Sequence, residues 1–358
     1  MSKQTKLKDM SNHFKEITIT NFRGFDSLDI NNLRKLNVFV GANNVGKTSI
    51  LEAAFMLSGM SNPLISNRVN YLRGVIFNNI DNSRYLFHNV DFNNKPLLKG
   101  VMTNKEMRRL TFSPITAYDE TNASTGNSTN QSVIKQLNFD FDKEDEKGFA
   151  YHSKIIVGKD GNLQQETDNN YNESLNALFI PVDKNDTNAT THFSTLVKRN
   201  RKQIVINALH DFDPAIESVE ALPDGLYLRI KGLKELLPIS MAGDGARRMI
   251  NILSTITSED FNIVFIDEID NGMHYSAHKL IWKTILRFIQ VHDIQLFVTT
   301  HNLDCLMGLE NAMYESKDLQ NLTNVYNVAK TKQRGFQVYR YGYNELKEAI
   351  DNEIEIRR

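Results

Sequence analysis

A glycine-rich segment near the start of the chain has the residue types and spacing of a phosphate-binding loop. It fits the pattern G-x-x-x-x-G-K-[ST] at every fixed position, from Gly41 to Thr48. The backbone amides of such a loop can surround phosphate oxygens, while Lys47 reaches the β- and γ-phosphates and Thr48 ligates Mg²⁺. The residues predicted to contact the nucleotide are Gly41, Ala42, Asn43, Asn44, Val45, Gly46, Lys47, Thr48 and Ser49.

Two adjacent carboxylates follow a second apolar segment. Residues 263–266 read Ile-Val-Phe-Ile and lead directly into Asp267 and Glu268. Strand ends are where α/β sheets present their ligand groups. We expect Asp267 to hold Mg²⁺, directly or through water, and Glu268 to polarise the attacking water as a general base.

Two further signals are weaker when taken alone. His301 follows an apolar segment that ends in Thr299 and Thr300, so it can hydrogen-bond a γ-phosphate or the attacking water, although a surface histidine fits the same position. A second glycine loop precedes a helix, and its amides can receive phosphate oxygens or simply form a tight turn. The residues of this loop are Gly243, Asp244 and Gly245.

Three other features have simple structural interpretations beside functional ones. His274 and His278 are spaced i, i+4 as in a metal-binding pair, but the sequence shows no third ligand. The basic run 198–202 could contact nucleic-acid phosphates or form a solvated helix face. Arg23 lies close to the first strand and by itself is any arginine in a turn.

The elements that must position these residues are strands alternating with helices. Buried strands are predicted at 36–40, 262–266 and 295–299, because these runs are apolar and rich in β-branched residues. Helices are predicted at 49–59, 246–256 and 276–291. Alternation of this kind implies a mostly parallel sheet. Further strands are predicted from Glu16 and at 28–30, before the first glycine loop.

The middle of the chain has a different composition, with short predicted strands and many turn signals. Short strands are predicted at 109–112, 137–141 and 154–157, a helix over 191–210, a loop or disordered insert at 120–130 and a solvated turn at 140–146. We therefore predict one α/β domain that is formed by 14–60 and 236–345 and split by an insertion. Residues 61–235 form this insertion, with further strands of the same domain and recognition elements, since loops tend to carry specificity. Residues 1–12 are expected to be flexible.

Composition limits the classes of protein that the chain can represent. It has 358 residues, 41% of them hydrophobic and 24% charged, with a net charge of −1. This excludes wholesale disorder and gives no global attraction to nucleic acid or membranes. The single cysteine, Cys305, excludes an intrachain disulfide and a cysteine-based zinc cluster. With no membrane-spanning run and no secretory signal, we expect a soluble, cytoplasmic protein.

The order of the motifs resembles that of ABC-type ATPase heads. The segment Ile19–Phe25 followed by Leu36–Thr48 is similar to the opening of RecF-like and SMC-like heads. The segments 267–274 and 299–302 resemble the bacterial AAA_15/AAA_21 group, which includes the ATPase portions of OLD nucleases and of anti-phage defence systems. The resemblance covers about 14–60 and 236–345, and it implies an α/β head with a mostly parallel core sheet, an antiparallel lobe and an irregular α+β insertion.

The resemblance also implies partners and a reaction. Two heads would enclose two ATP molecules, each held by the phosphate loop of one subunit and by the glycine signature of the other, so a dimer or higher homo-oligomer is expected with ATP and Mg²⁺. Only 57 residues follow His301, and 343–350 read as the last helix of the head, so an effector such as a nuclease would be a separate protein. The favoured function is an ATP-hydrolysing sensor or scaffold subunit of an anti-phage system.

Two alternatives remain open from the sequence. One is a RecF-like DNA-repair or chromosome-maintenance ATPase, for which nucleic acid would be the partner. The other is a nucleotide-gated interaction platform with very slow turnover. DNA binding across paired heads would favour the first, and assembly set by ATP binding would favour the second.

Overall fold

The computed structural model describes residues 12–75, 80–118, 132–143, 150–158, 162–182, 189–258, 261–314, 316–352 and 356. The predicted loop at 120–130, part of the turn at 140–146 and nearly all of the segment 1–12 lie outside these residues. The described strands are β1 (Phe14–Phe22), β2 (Phe25–Ile30), β3 (Leu36–Val40), β4 (Leu97–Met102), β5 (Met107–Tyr118), β6 (Ser132–Asp142), β7 (Tyr151–Val157), β8 (Leu163–Glu166), β9 (Ala177–Ile180), β10 (Ile216–Leu222), β11 (Gly225–Ile230), β12 (Leu237–Pro238), β13 (Ile263–Ile266), β14 (Gln295–Thr299), β15 (Thr323–Thr331) and β16 (Gly335–Tyr341).

Helices connect many of these strands. The α-helices are α1 (Lys47–Ser58), α2 (Leu64–Tyr71), α3 (Ala189–Lys198), α4 (Gln203–Phe212), α5 (Asp244–Ser258), α6 (Tyr275–Val291), α7 (Leu303–Met313), α8 (Lys317–Asn321) and α9 (Tyr343–Asp351). Short 3-10 helices cover Ile80–Leu86, His88–Val90 and Ile239–Met241.

The chain divides into two compact units, which are described separately. Unit 1 comprises Met1–Leu33, Thr48–Ala177 and Lys330–Val338, and unit 2 comprises Arg34–Lys47, Leu178–Ala329 and Tyr339–Arg358. These boundaries differ from the predicted split, since residues 178–235 cluster with unit 2. The idea that 61–235 has a separate recognition role stays a prediction.

Unit 2 is built on a six-stranded sheet with the order β16-β15-β3-β14-β13-β9. The pairs β13–β14, β14–β3 and β15–β3 are parallel, so the carboxyl ends of β3, β13 and β14 meet at one edge. Every residue of β3, β13 and β14 is buried, which explains why these strands read as continuous apolar runs in the sequence.

One face of this sheet carries an aromatic ladder. Phe39 stacks on Phe297 and Tyr326, with centroid distances of 6.3 and 5.2 Å, and Phe265 lies 5.1 Å from Phe297. The alternating residues of the same strands, such as Val38 and Val298, join the core formed with the helices. Burial of both faces fixes the register of the strands whose ends carry the predicted site residues.

Two helices of unit 2 begin at side-chain caps. Asn302 accepts a hydrogen bond from the amide of Asp304 at 2.8 Å and starts α7 immediately after the strand end at Thr299. His274 occupies the corresponding position of α6 and accepts from the amide of Ser276 at 3.5 Å. These caps end the segments that follow β14 and β13.

Unit 1 contains an antiparallel sheet of seven strands with the order β2-β1-β4-β5-β6-β7-β8. Each neighbouring pair is antiparallel. Phenylalanines from several strands pack edge to face in its core, with Phe112 at 6.5 Å from Phe22 and 5.4 Å from Phe87. The predicted fold class, a mostly parallel sheet plus an antiparallel lobe, is confirmed.

The predicted elements agree with the structure except in their lengths, in one helix and in the solvated turn predicted at 140–146. Residues 140–142 of that turn belong to β6, and Asp142 is buried and paired with Arg109. Two strands of unit 1 are longer than the sequence indicated: β5 extends well beyond 109–112 and β6 well beyond 137–141. The helix predicted over 191–210 is wrong as a single element: α3 ends at Lys198, Asn200 has a φ of +56°, and α4 begins at Gln203. The basic run 198–202 is therefore mostly a turn.

No helix in the described residues is both long and apolar enough to cross a membrane.

Candidate nucleotide site

The glycine loop joins β3 to α1, as its sequence predicts. Gly41 has a φ of +146°, and a Cβ atom there would lie 2.4 Å from the carbonyl oxygen of Val328 on β15. Gly46 has a φ of +93° and Asn44 a φ of +64°. A Cβ atom at Gly41 would collide with this carbonyl oxygen, and any side chain at Gly46 would strain the backbone. Glycine therefore occupies both fixed positions.

Lys47 lies inside the curve of this loop. Its Nζ donates to the carbonyl oxygens of Gly41 and Ala42, each at 2.9 Å, and the residue is 9% exposed. Burial lowers the pKa of the Lys47 ammonium, and the negative charges of Glu268 and the neighbouring acids offset part of this effect. The ammonium is thus held next to the acidic strand end, with donors that can turn from carbonyls to phosphate oxygens.

Asp267 and Glu268 follow β13, the strand next to β14. Asp267 is 7% exposed, and its Oδ1 accepts a hydrogen bond from Thr299 Oγ1 at 2.6 Å. The same Oγ1 accepts from the backbone amide of Glu268 at 2.8 Å. The last residue of β14 therefore fixes both acidic residues at the carboxyl end of β13, although the sequence analysis gave Thr299 no role.

The backbone at Glu268 is unusual for a residue with a side chain. Its φ is +45°, a left-handed conformation that costs of order 1–3 kcal/mol in non-glycine residues. Its Oε1 lies 3.9 Å from His301 Nδ1, and both side chains are partly exposed. The structure thus brings together Lys47, Asp267, Glu268 and His301, which the sequence predicted as phosphate-binding, metal-holding and catalytic residues.

Arg248 is a site residue that the sequence analysis did not single out. This buried arginine of α5 donates through its NH2 group to the carbonyl oxygens of Asp267 at 2.9 Å and Glu268 at 3.3 Å, and through NH1 to Pro181 at 3.0 Å. The sequence signal was its place in the helix that follows the second glycine loop. It fastens α5 to the backbone that carries the two acids.

The second glycine loop lies at the start of α5. Gly243 and Asp244 are exposed, Asp244 pairs with Arg247, and a Cβ atom at Gly243 would meet nothing within 4 Å. Gly245 is more enclosed, with the ring of Phe212 at 3.4 Å from a Cβ position. Of the predicted signature residues, Gly243 and Asp244 are therefore exposed, while Arg248 on the same helix contacts the acidic strand end.

The residues from Thr48 onward, beginning in the first turn of α1, belong to unit 1. Here Arg73 donates to Ser49 Oγ at 3.0 Å and pairs with Glu52 at 2.8 Å, and Arg23 Nε lies 2.6 Å from the other oxygen of Glu52. Burial lowers the pKa of Arg23 to about 10, with the Glu52 charge acting against it. Arg23 is thus part of a buried ion-pair cluster at the helix that follows the phosphate loop.

The two histidines spaced i, i+4 lie in different surroundings. His274 caps α6 and is exposed, whereas His278 is 1% exposed. In the described part of the chain, no group of three or more His, Cys, Asp or Glu residues is arranged to hold a metal ion. The donors predicted for Mg²⁺, the Asp267 carboxylate and the Thr48 hydroxyl, are hard oxygen atoms of the kind that this ion prefers.

The combination of fold and site defines a P-loop ATPase head of the ABC type. A phosphate loop at the end of one central strand and an Asp-Glu pair at the end of a neighbouring parallel strand are the features that carry this assignment.

Comparison with known families places the chain more closely. The AAA_21 family, described as "AAA domain, putative AbiEii toxin, Type IV TA system", matches residues 36–306, and the chain belongs to this family. A Helicobacter pylori protein named ATP/GTP phosphatase is 26% identical over 370 residues, covering 94% of this chain and 98% of the relative. The DNA replication and repair protein RecF of Lysinibacillus sphaericus is 41% identical over 46 residues, or 13% of this chain and 12% of RecF.

Solved structures with a similar arrangement include SMC heads. An SMC head bound to the C-terminal winged-helix domain of ScpA covers 95% of this chain and 99% of its own, with 12% identity and a TM-score of 0.48. The SMC head domain from Thermotoga maritima covers 92% and 99%, with 12% identity and a TM-score of 0.39.

Proposed function

We propose that this protein binds MgATP through residues Gly41–Ser49 and hydrolyses it as the sensor or scaffold subunit of a bacterial anti-phage system. The observation that carries the catalytic part is the convergence of Lys47, Glu268 and His301 at the carboxyl ends of adjacent parallel strands. Attack of water on a γ-phosphate requires a cation for the phosphate and groups that orient and deprotonate the water. Lys47 supplies the cation, and Glu268 and His301, which lie 3.9 Å apart, supply the other groups.

Each residue has a separate task in this reaction. Lys47 exchanges its two carbonyl acceptors for phosphate oxygens, so the donors that now bind carbonyls stay occupied. Glu268 accepts the proton of the attacking water, and its partly exposed carboxylate lies 3.9 Å from His301. His301 hydrogen-bonds the γ-phosphate or the same water. Mg²⁺, when held by Asp267 and Thr48, would neutralise charge that develops on the phosphate oxygens.

The regulatory part of the proposal is that two heads associate around nucleotide. Its support is the exposed glycine loop at the start of α5, where open space surrounds Gly243 and a helix N-terminus can receive phosphate. The same helix contacts the Asp267–Glu268 backbone through Arg248. Nucleotide bound against this loop would therefore be sensed at the acids of the subunit that supplies the loop.

The defence role rests on the family, whose description names a toxin and a type IV toxin–antitoxin system. Such systems have two components, which supports control of a separately encoded effector such as a nuclease. The test is phosphate release from ATP, together with size-exclusion chromatography and light scattering of the Glu268→Gln variant with and without MgATP. We expect turnover in the wild type and an ATP-dependent increase in mass in the variant. ATP turnover in the wild type without any ATP-dependent change in mass of the variant would contradict the proposal that two heads associate.

A RecF-like role in DNA repair is the second candidate, because a short segment is 41% identical to RecF over 46 residues. ATP-dependent binding of duplex DNA by the Glu268→Gln protein would favour it over the defence role. If assembly depends on ATP binding while turnover stays very slow, the protein acts instead as a nucleotide-gated platform.

A further inference from the structure

The strand β10 of unit 2 forms one edge of a small sheet. The order of this sheet is β10-β11-β12, and β10 pairs antiparallel with β11. Within the described residues, no other strand pairs with β10. An edge strand presents a row of backbone N–H and C=O groups with which another extended chain can pair.

A groove of about 270 Å³ lies between β10 and the end of α3. It is lined by Val219, Glu220 and Ala221 of β10 and by Val197 and Lys198 at the end of α3, with Lys202 from the turn that follows. Successive side chains of a strand point to opposite faces of a sheet, so a cavity that borders three consecutive residues also borders the backbone of the strand. The groove therefore gives access to the backbone of β10.

The groove has an apolar wall and an excess of positive charge. Val197 is 45% exposed, although it lies next to the core residue Leu196. Among the described residues, neither Lys198 nor Lys202 forms an ion pair, while the carboxylate of Glu220 accepts a hydrogen bond from Ser218 at 2.8 Å. Two ammonium groups against one carboxylate favour an anionic occupant.

We propose that this groove binds an extended acidic segment of a partner protein, which adds to β10 as a fourth strand of the sheet. Backbone hydrogen bonds to β10 would hold the segment, apolar side chains would cover Val197, and carboxylates would pair with Lys198 and Lys202. An accessible strand edge beside an apolar wall fits a polypeptide better than a nucleic acid, whose phosphates need only the cations. The proposal does not depend on ATP hydrolysis.

The test uses full-length protein and two labelled peptides of eight residues, one alternating Glu and Val and one alternating Lys and Val. We expect the acidic peptide to bind in a fluorescence-polarisation titration and to slow hydrogen exchange of the amides in 216–222. The basic peptide should do neither. The Lys198→Glu/Lys202→Glu variant should bind the acidic peptide about tenfold more weakly or worse, with unchanged ATP turnover.

A matched control carries Lys231→Glu and Lys234→Glu, which reverse two exposed lysines of unit 2 outside the groove lining. It should bind the acidic peptide as the wild type does. The Lys198→Gln/Lys202→Gln variant repeats the test without reversing charge. Equal loss of binding in the control, or absence of exchange protection in 216–222 at millimolar peptide, overturns the proposal. Binding of a duplex DNA oligonucleotide that depends on Lys198 and Lys202, without binding of the acidic peptide, also overturns it.

Discussion

Thr299 Oγ1 donates a hydrogen bond of 2.6 Å to Asp267 Oδ1, joining the ends of two adjacent parallel strands. The hydroxyl also accepts the amide of Glu268 at 2.8 Å. One threonine on β14 therefore holds the proposed metal ligand and positions the backbone of the proposed general base. This contact couples the geometry of the two acids, so that a change at Thr299 affects both.

Replacement of Thr299 by valine keeps the shape of the side chain and removes the hydroxyl. We expect a loss of about 1–3 kcal/mol in the free energy of unfolding, because the buried Asp267 oxygen and the Glu268 amide lose a partner. We also expect kcat for ATP to fall about tenfold, with a smaller change in KM. Urea denaturation and phosphate-release kinetics measure these effects. Thr299→Ser, which keeps the hydroxyl, is the control, and a valine variant with wild-type stability and kcat would contradict the prediction.

Lys47 and Glu268 should separate binding from chemistry. Lys47→Ala removes the cation that faces the phosphates in both ground and transition states, so we expect ATP affinity to fall by about 10–100-fold. Glu268→Gln keeps the shape of the side chain and loses the base, so affinity should persist while kcat falls by about 10²–10⁴-fold. Titration calorimetry with MgATP and phosphate release measure the two effects. Equal ATP affinity in Lys47→Ala and the wild type would be decisive against the assigned site.

A site shared between two subunits predicts complementation in mixtures. Gly243→Glu places a negative side chain in open space at the exposed loop, so the change repels a phosphate presented from outside without disturbing the core. Lys47→Ala and Gly243→Glu should each be inactive. In a mixed dimer, one site keeps both an intact Lys47 and an intact Gly243 loop, so we expect up to half of the wild-type activity per mixed dimer.

The control for this mixing experiment is Gly24→Glu, a change at the exposed turn between β1 and β2, where a Cβ atom also meets nothing within 4 Å. This variant should remain active by itself. Mixtures proven by mass spectrometry to contain heterodimer, yet lacking activity at every ratio, would show that each subunit works alone.

His278 should make the stability of the protein depend on pH. Burial lowers the pKa of its imidazole below the ordinary value of 6.5, with Asp270 and Asp304 acting in the opposite direction. The folded state then binds fewer protons than the unfolded state between the folded pKa and about 6.5. The neutral His278 imidazole makes its full contribution to stability above about pH 6.5. This contribution is lost as the pH falls towards the pKa of His278 in the folded state.

Substitution of His278 by leucine removes this group from the titration. We expect the difference in unfolding free energy between pH 7.5 and pH 5.5 to shrink relative to the wild type, as measured by urea denaturation at each pH. His274→Leu on the same helix is the control, since His274 is exposed and should change this difference little. An unchanged pH dependence in His278→Leu would show that the imidazole titrates normally.

The sequence predicted the strands and the glycine loop that carry the proposed site, because these elements are local. The phosphate loop needs glycine where φ is positive or where a neighbouring backbone is close, and Gly41 and Gly46 meet these conditions. The buried strands 36–40 and 295–299 were predicted with their observed ends, since both faces of a parallel strand are apolar. Glu268 and His301 follow such strands, so their meeting at one edge could be inferred before the structure.

Contacts between distant segments were decided only by the tertiary structure. Nothing in the sequence shows that Arg248 donates to the carbonyl oxygens of residues 267 and 268, or that Arg23 and Arg73 share the carboxylate of Glu52. The break between α3 and α4 was also missed, because apolar residues continue at helical spacing through the turn at Asn200. The hydrophobic periodicity of a sequence indicates which face of a helix or strand is buried, and motif spacing indicates which residues share a loop. Which distant partner it meets depends on how the whole chain packs, and single hydrogen bonds of about 1 kcal/mol leave no pattern in a sequence.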